Sequence, residues 1–162
     1  MKIRPIIARD RQAVLDVLNL TGFFTKEEER VATEVIDVCL TKPGQQDYIV
    51  VVIEDEQGAI CGYMCYGPTP MTEGVIDLYW MAVHPDKHRQ GYGKALVQWL
   101  EKAVQGKKGR LIVIETSSKD KYAITRNFYQ RLGYVENARI RDFYSVGDDL
   151  LIYCKYLKPE GA

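Results

Sequence analysis

A chain of 162 residues is long enough for one packed core, and a single domain over residues 1–162 is expected. Its 22 Lys and Arg balance 22 Asp and Glu, which excludes a global pull towards nucleic acid or an anionic membrane surface, so any phosphate affinity must be local. No apolar run is long enough to span a bilayer and Met1–Pro5 lacks a signal-peptide core, so a cytoplasmic protein without membrane partners is expected.

Lys2 to Ile7 reads as a short first strand. Asp10 is placed to cap a helix carrying Val14, Val17 and Leu18 on one face. Gly22 and the pair Phe23–Phe24 interrupt it, and both phenylalanines read as core or as a wall of a substrate pocket. Thr25-Lys-Glu-Glu28 is a capping box for a second helix with Val31, Val35, Ile36 and Val38, which ends before Pro43-Gly44. Tyr48–Glu54 and Ala59–Tyr66 form an antiparallel hairpin around Asp55–Gly58. Gly67-Pro-Thr-Pro70 stops that sheet, because proline donates no ladder bond.

Val75–Val83 is a near-continuous apolar run and reads as a central strand covered on both faces. A basic loop follows, and then Ala95, Leu96, Trp99, Leu100, Ala103 and Val104 recur at helical spacing. Leu111–Glu115 is the next buried strand, so the strand–helix–strand order implies a parallel pair. A polar loop, Ser117–Lys121, leads to a helix through Thr125, Phe128, Tyr129 and Leu132 that Gly133 closes. Tyr134–Ile140 and Leu150–Tyr156 read as a closing hairpin with Gly147–Asp149 at its turn. The whole is a mixed-sheet α/β domain.

The loop between the central strand and its helix is the stretch with chemistry. Gly91 and Gly93 remove side chains where the chain turns in, so backbone N–H groups face outward at a helix N-terminus. Lys87, Arg89 and Lys94 add positive charge, and a phosphate-bearing ligand fits. The loop lacks the third glycine of a dinucleotide fingerprint, with Leu96 in its place, and it is not a Walker loop. The four cysteines, Cys39, Cys61, Cys65 and Cys154, form no C-x-x-C pair. His84 and His88 are separated by Pro85, which breaks a helical ligand spacing, so no metal site is expected.

Two of these stretches resemble the GNAT superfamily of acyl-CoA N-acyltransferases. Met81-Ala-Val-His-Pro followed by His88-Arg-Gln-Gly-Tyr-Gly93 is similar to the end of the family's fourth strand and its Gln/Arg-x-x-Gly-x-Gly/Ala pyrophosphate loop. Arg126-Asn-Phe-Tyr-Gln-Arg-Leu-Gly-Tyr134 is similar to its fourth-helix segment, and Ile3-Arg-Pro with Asp10 to a common family opening. The resemblance implies an α/β (α+β) fold: a single domain with a mixed, mostly antiparallel sheet, about four helices and a parallel pair of strands four and five. His88 stands where Arg or Gln is usual, and Thr116–Ser118 and Tyr122 where asparagines are frequent.

The resemblance further implies transfer of the acetyl group of acetyl-CoA to a primary amine by direct attack in a ternary complex. Cofactor contacts are expected from the loop, His88, Arg89, Gln90, Gly91, Tyr92, Gly93 and Lys94, from the strand backbone of Met81, Ala82 and Val83, and from Thr116 and Arg126. An amine must be neutral to attack, so a base is needed. Asp77 is the carboxylate inside the apolar strand, with Glu73 in reserve; Asp77 also reads as a solvated strand start or an acceptor of loop N–H bonds. Tyr129 is expected to protonate the leaving CoA thiolate, or else to be a core tyrosine. Phe24, Tyr66, Glu73, Tyr79 and Tyr144 are expected around the acceptor.

Three alternatives stand beside a small-molecule acetyltransferase. The Arg141–Tyr153 tail is similar to the ends of ribosomal-protein alanine N-acetyltransferases, which would make a protein N-terminus the acceptor. A non-catalytic acyl-CoA-binding module and a regulator that binds another phosphate ligand are the others. The edge of the closing hairpin leaves a homodimer open.

Overall fold

The structure is a computed structural model that describes residues 1–42 and 44–158. Pro43, expected to close the second helix with Gly44, lies outside the described residues. Strands β1 (Lys2–Pro5), β2 (Ile49–Glu54), β3 (Ile60–Pro68), β4 (Val75–Val83), β5 (Leu111–Ser117), β6 (Val135–Ser145) and β7 (Asp148–Tyr156) form one sheet of order β1-β2-β3-β4-β5-β7-β6. The helices are α1 (Arg11–Leu20), α2 (Lys26–Thr41), α3 (Tyr92–Gly106) and α4 (Ala123–Arg131). β4 and β5 are parallel and the other registered pairs are antiparallel, as expected for the mixed sheet. No helix among the described residues is long and apolar enough to cross a membrane.

The chain groups into two compact units. The first, Met1–Pro68 with Tyr79–Lys102, has a core in which Val14, Val17 and Leu18 of α1 and Ala32, Val35 and Ile36 of α2 meet Val50, Val52, Tyr63, Cys65 and Ala82. The apolar spacing of both helices selects these faces. The Thr25 capping box forms as expected: Thr25 Oγ1 accepts from the Glu28 N–H at 3.2 Å, and the Glu28 carboxylate accepts from the Thr25 N–H at 2.7 Å. Asp10 does not cap α1 with its side chain. It is buried and accepts from Arg4 Nη1 at 2.5 Å and Nη2 at 2.9 Å, and Arg4 also donates to Glu54. The guanidinium holds the Asp10 carboxyl below the usual carboxylate range. A partner six residues back, on β1, outcompetes the local cap, because a buried carboxylate needs a full countercharge.

The second unit is Thr69–Leu78 with the described chain from Ala103 onward. Here the start of β4 pairs with β5 from Val75↔Leu111 to Leu78↔Ile114, and β5 pairs with β7 from Leu111↔Tyr156 to Ser117↔Leu150. Ile112, Ile114, Tyr134 and Tyr153 are fully or almost fully buried. The last hairpin differs from expectation. β6 runs to Ser145 and is exposed along its whole length, and its register jumps from Ile140↔Leu150 to Ser145↔Asp148. Asp142, at φ +51°, sits in that bulge. β4 is also less covered than its apolar run suggested, with Val75, Leu78 and Ala82 buried and the rest half-buried.

Candidate active site

In the first unit, the end of β4 is a braced turn. A 3₁₀ turn at Pro85–Lys87 begins it, with His84 Nδ1 accepting from the Asp86 N–H at 3.2 Å and the His84 carbonyl from the Lys87 N–H at 2.9 Å. His88 Nε2 lies 2.8 Å from the Val83 carbonyl oxygen. A carbonyl only accepts, so that ring nitrogen carries the proton. The Gln90 amide donates to the Asp86 carbonyl at 2.8 Å. Between these ties Arg89 sits at φ +60°, and Gly91 follows at φ +90°.

α3 opens directly behind the turn. The Ala95 N–H bonds the Gly91 carbonyl at 2.9 Å, so the N–H groups of Tyr92, Gly93 and Lys94 belong to the first turn, where no preceding helical carbonyl exists to take them. Donors at the positive end of a helix dipole fit a diphosphate. Arg89 and Lys94 are exposed beside them. Lys87 is not available in the same way, since its ammonium pairs with Asp55 at 3.1 Å. Tyr92 is buried and hydrogen-bonds Cys61 of β3, which pins the start of α3; burial and that contact push its phenol up. This side-chain role was not legible in a loop read for its backbone.

The Met81–Val83 stretch lies beyond the β4–β5 register. It runs close to β3, where a Cβ on Gly62 would come within 2.7 Å of the Ala82 carbonyl oxygen. Of the expected acceptor residues in this unit, Phe24 packs on the core and Tyr66 is buried edge-on to Trp99 with ring centroids 6.3 Å apart. Tyr79 is half-buried between Tyr48 and Trp80, at 5.5 and 6.0 Å. Cys61 and Cys65 are buried and burial raises both thiols.

The second unit carries the expected acid–base groups. Asp77 is half-buried and accepts from Thr69 Oγ1 at 2.8 Å, a loop hydroxyl rather than the loop N–H of the alternative reading. Asp77 faces Val113 across the parallel pair, so Glu115, two residues further along β5, lies on the same face. Glu115 is exposed, yet partial loss of hydration and the Asp77 charge push its carboxyl above its ordinary range. Glu115 is a candidate that the sequence missed: it closes an apolar strand and carries no local signal. Glu73 is exposed and contributes its carbonyl, which accepts from Arg110 at 2.8 Å.

Tyr129 is buried on α4 between Phe128 and Tyr134, with centroids at 5.1 and 5.7 Å, and burial pushes its phenol up, so it keeps its proton at neutral pH. Thr116 is buried on β5. Arg126 Nη1 is committed to the carbonyls of Ser117 and Lys119, at 2.8 and 2.9 Å, which ties α4 to the end of β5 instead of leaving the cation free. Tyr144 is half-exposed on the β6 bulge against Phe143. Asp149 holds that bulge, accepting from the Asp142 N–H at 2.9 Å and from Arg139 Nε at 2.5 Å; both pull its carboxyl down. Among the described residues no group of three metal-ligating side chains occurs.

A strand that ends in a braced turn, opens a helix and is followed by a parallel strand offers first-turn amides suited to a phosphate-bearing ligand. The comparisons with known proteins give the family. A family model described as Acetyltransferase (GNAT) domain matches residues 46–136, more than half of the chain. The chain belongs to the GNAT family and is an acyltransferase. It is 42% identical to a crystal structure from Desulfovibrio desulfuricans described as an acetyltransferase of the GNAT family, covering 97% of this chain and 99% of that one with a TM-score of 0.91. It is 27% identical over 141 residues to the S-(2-succino)cysteine N-acetyltransferase of Bacillus subtilis (strain 168), covering 84% of this chain and 85% of that protein. An aminoglycoside 6'-N-acetyltransferase complexed with coenzyme A shares the fold, with a TM-score of 0.75 at 19% identity and full coverage of both chains.

Proposed function

We propose that this acetyltransferase binds acetyl-CoA at the β4–α3 turn and acetylates a primary amine of a small molecule by direct attack. The observation that carries the reading is the turn: a family member keeps outward first-turn amides at Tyr92–Lys94, with Arg89 and Lys94 exposed beside them. Acetyl-CoA supplies an activated acetyl group as its thioester. The turn amides hold the diphosphate, and the β4 backbone at Met81–Val83, beyond the stretch paired with β5, receives the pantetheine arm as an added strand would be received. A backbone N–H there stabilises negative charge on the carbonyl oxygen.

Asp77 takes the proton from the acceptor ammonium, directly or through water, and frees the nitrogen lone pair. Glu115 lies on the same face of the parallel pair as Asp77, and its carboxyl is the one pushed up, by lost hydration and by the Asp77 charge. As the N–C bond forms and the C–S bond breaks, the Tyr129 hydroxyl gives its proton to the departing sulfur, and the surplus proton on the new amide nitrogen leaves through water and returns the Tyr129 phenolate to its phenol form. The Bacillus relative, an S-(2-succino)cysteine N-acetyltransferase by name and so with a small amino-acid acceptor, supports the small-molecule reading.

The test is release of free CoA thiol from acetyl-CoA over a panel of amino acids including S-(2-succino)cysteine, polyamines, aminoglycosides and peptides. Turnover with a small amine is expected, and Asp77→Ala lowers kcat by about a hundredfold. Turnover with peptides alone overturns the small-molecule reading. Full activity of Asp77→Ala overturns the assignment of the base.

A further inference from the structure

We propose that His88 is a positioning residue for the acetyl donor: its imidazole ties the turn to the Val83 carbonyl and so presets the amides of α3. The inference rests on the reading that this turn takes acetyl-CoA. His88 Nε2 lies 2.8 Å from the Val83 oxygen, a bond that joins the end of β4 to the residue just before Arg89. Arg89 is a non-glycine residue in the left-handed region at φ +60°, which an L side chain disfavours. A backbone so strained persists only where its surroundings hold it. Here two side chains bracket it, His88 to the Val83 carbonyl before it and Gln90 to the Asp86 carbonyl after it.

The ring is exposed and contributes little packing, so its effect is on the turn rather than on the fold. Nε2 is a donor in both the neutral tautomer that the bond selects and the imidazolium, so the tie survives acidification. It also commits that nitrogen to the protein, which separates His88 from a direct phosphate ligand through the same atom. A glutamine side chain offers an amide N–H of similar reach, and Gln is a residue usual at this place in the family that the loop resembles.

The experiment is calorimetric titration of the wild-type protein, His88→Ala and His88→Gln with acetyl-CoA, with melting temperatures of the three unliganded proteins. His88→Ala is expected to bind about tenfold more weakly and His88→Gln within about twofold of wild type, as one hydrogen bond lost and regained. Equal melting temperatures across the three place the effect in the turn. Wild-type affinity in His88→Ala, or His88→Gln as weak as His88→Ala, overturns the tie. Absence of acetyl-CoA binding by the wild-type protein overturns the donor reading itself.

Discussion

The β4–α3 turn and the β6–β7 hairpin both reverse or redirect the chain, and they do so by opposite means. The turn is made by residues adjacent in sequence: a 3₁₀ turn, two positive φ angles and side-chain ties that reach four or five residues. The function proposed for it rests on main-chain groups that any helix start exposes. The hairpin bulge is made by one carboxylate, Asp149, which gathers Arg139 and the Asp142 N–H from across the strand while its own N–H donates to Ser118. Local rules write the β4–α3 turn, whereas longer-range charge pairing writes the closing hairpin.

Removing the hairpin's organiser has the largest expected effect. Asp149→Ala leaves Arg139 and the Asp142 N–H without their acceptor, and the melting temperature is expected to fall by roughly 5 °C while acetyl-CoA affinity in calorimetry stays unchanged. A fall in affinity of similar weight would show that the two regions are coupled. Next is the turn. Gly91→Ala adds a Cβ that meets nothing within 4 Å, so only the φ of +90° is penalised. Acetyl-CoA binding is expected to weaken about tenfold with little change in melting temperature.

Acid sharpens the contrast further. Asp149 titrates below the ordinary carboxylate range in the folded protein, so its contribution is complete above that range and is lost as pH falls through the lowered folded value. Wild-type melting temperature is expected to drop more steeply than that of Asp149→Asn between about pH 5 and pH 3. Parallel profiles would contradict the role given to Asp149 in holding the bulge. The smallest effect on stability is expected from Tyr144→Ser, an exposed position where the change is within about 0.5 kcal/mol. If the bulge selects the acceptor, the acceptor KM rises in that variant and the acetyl-CoA KM does not.

Much of the fold was legible because its signals are local. The capping box at Thr25, the apolar faces of α1 and α2 and the bounds of β4 follow from spacing alone. Asp10 shows where that reading stops. Its position before a helix signals a cap, yet the carboxylate goes to Arg4, and a residue string does not display which countercharge folding will deliver. The same reason hid the Asp149 bulge and Glu115, whose neighbours come from other strands. The sequence marks Arg126 as a cofactor contact and Lys87 as loop charge, and displays neither the carbonyls that accept from Arg126 nor the Asp55 that pairs with Lys87.

The central claim is that the β4–α3 turn is an acetyl-CoA site, and the most direct measurement is calorimetric titration of the wild-type protein with acetyl-CoA, with ATP and NAD as controls. The account predicts saturable one-site binding of acetyl-CoA, displaced by free CoA, and no comparable binding of either control. No binding of acetyl-CoA, or equal binding of all three, would contradict it.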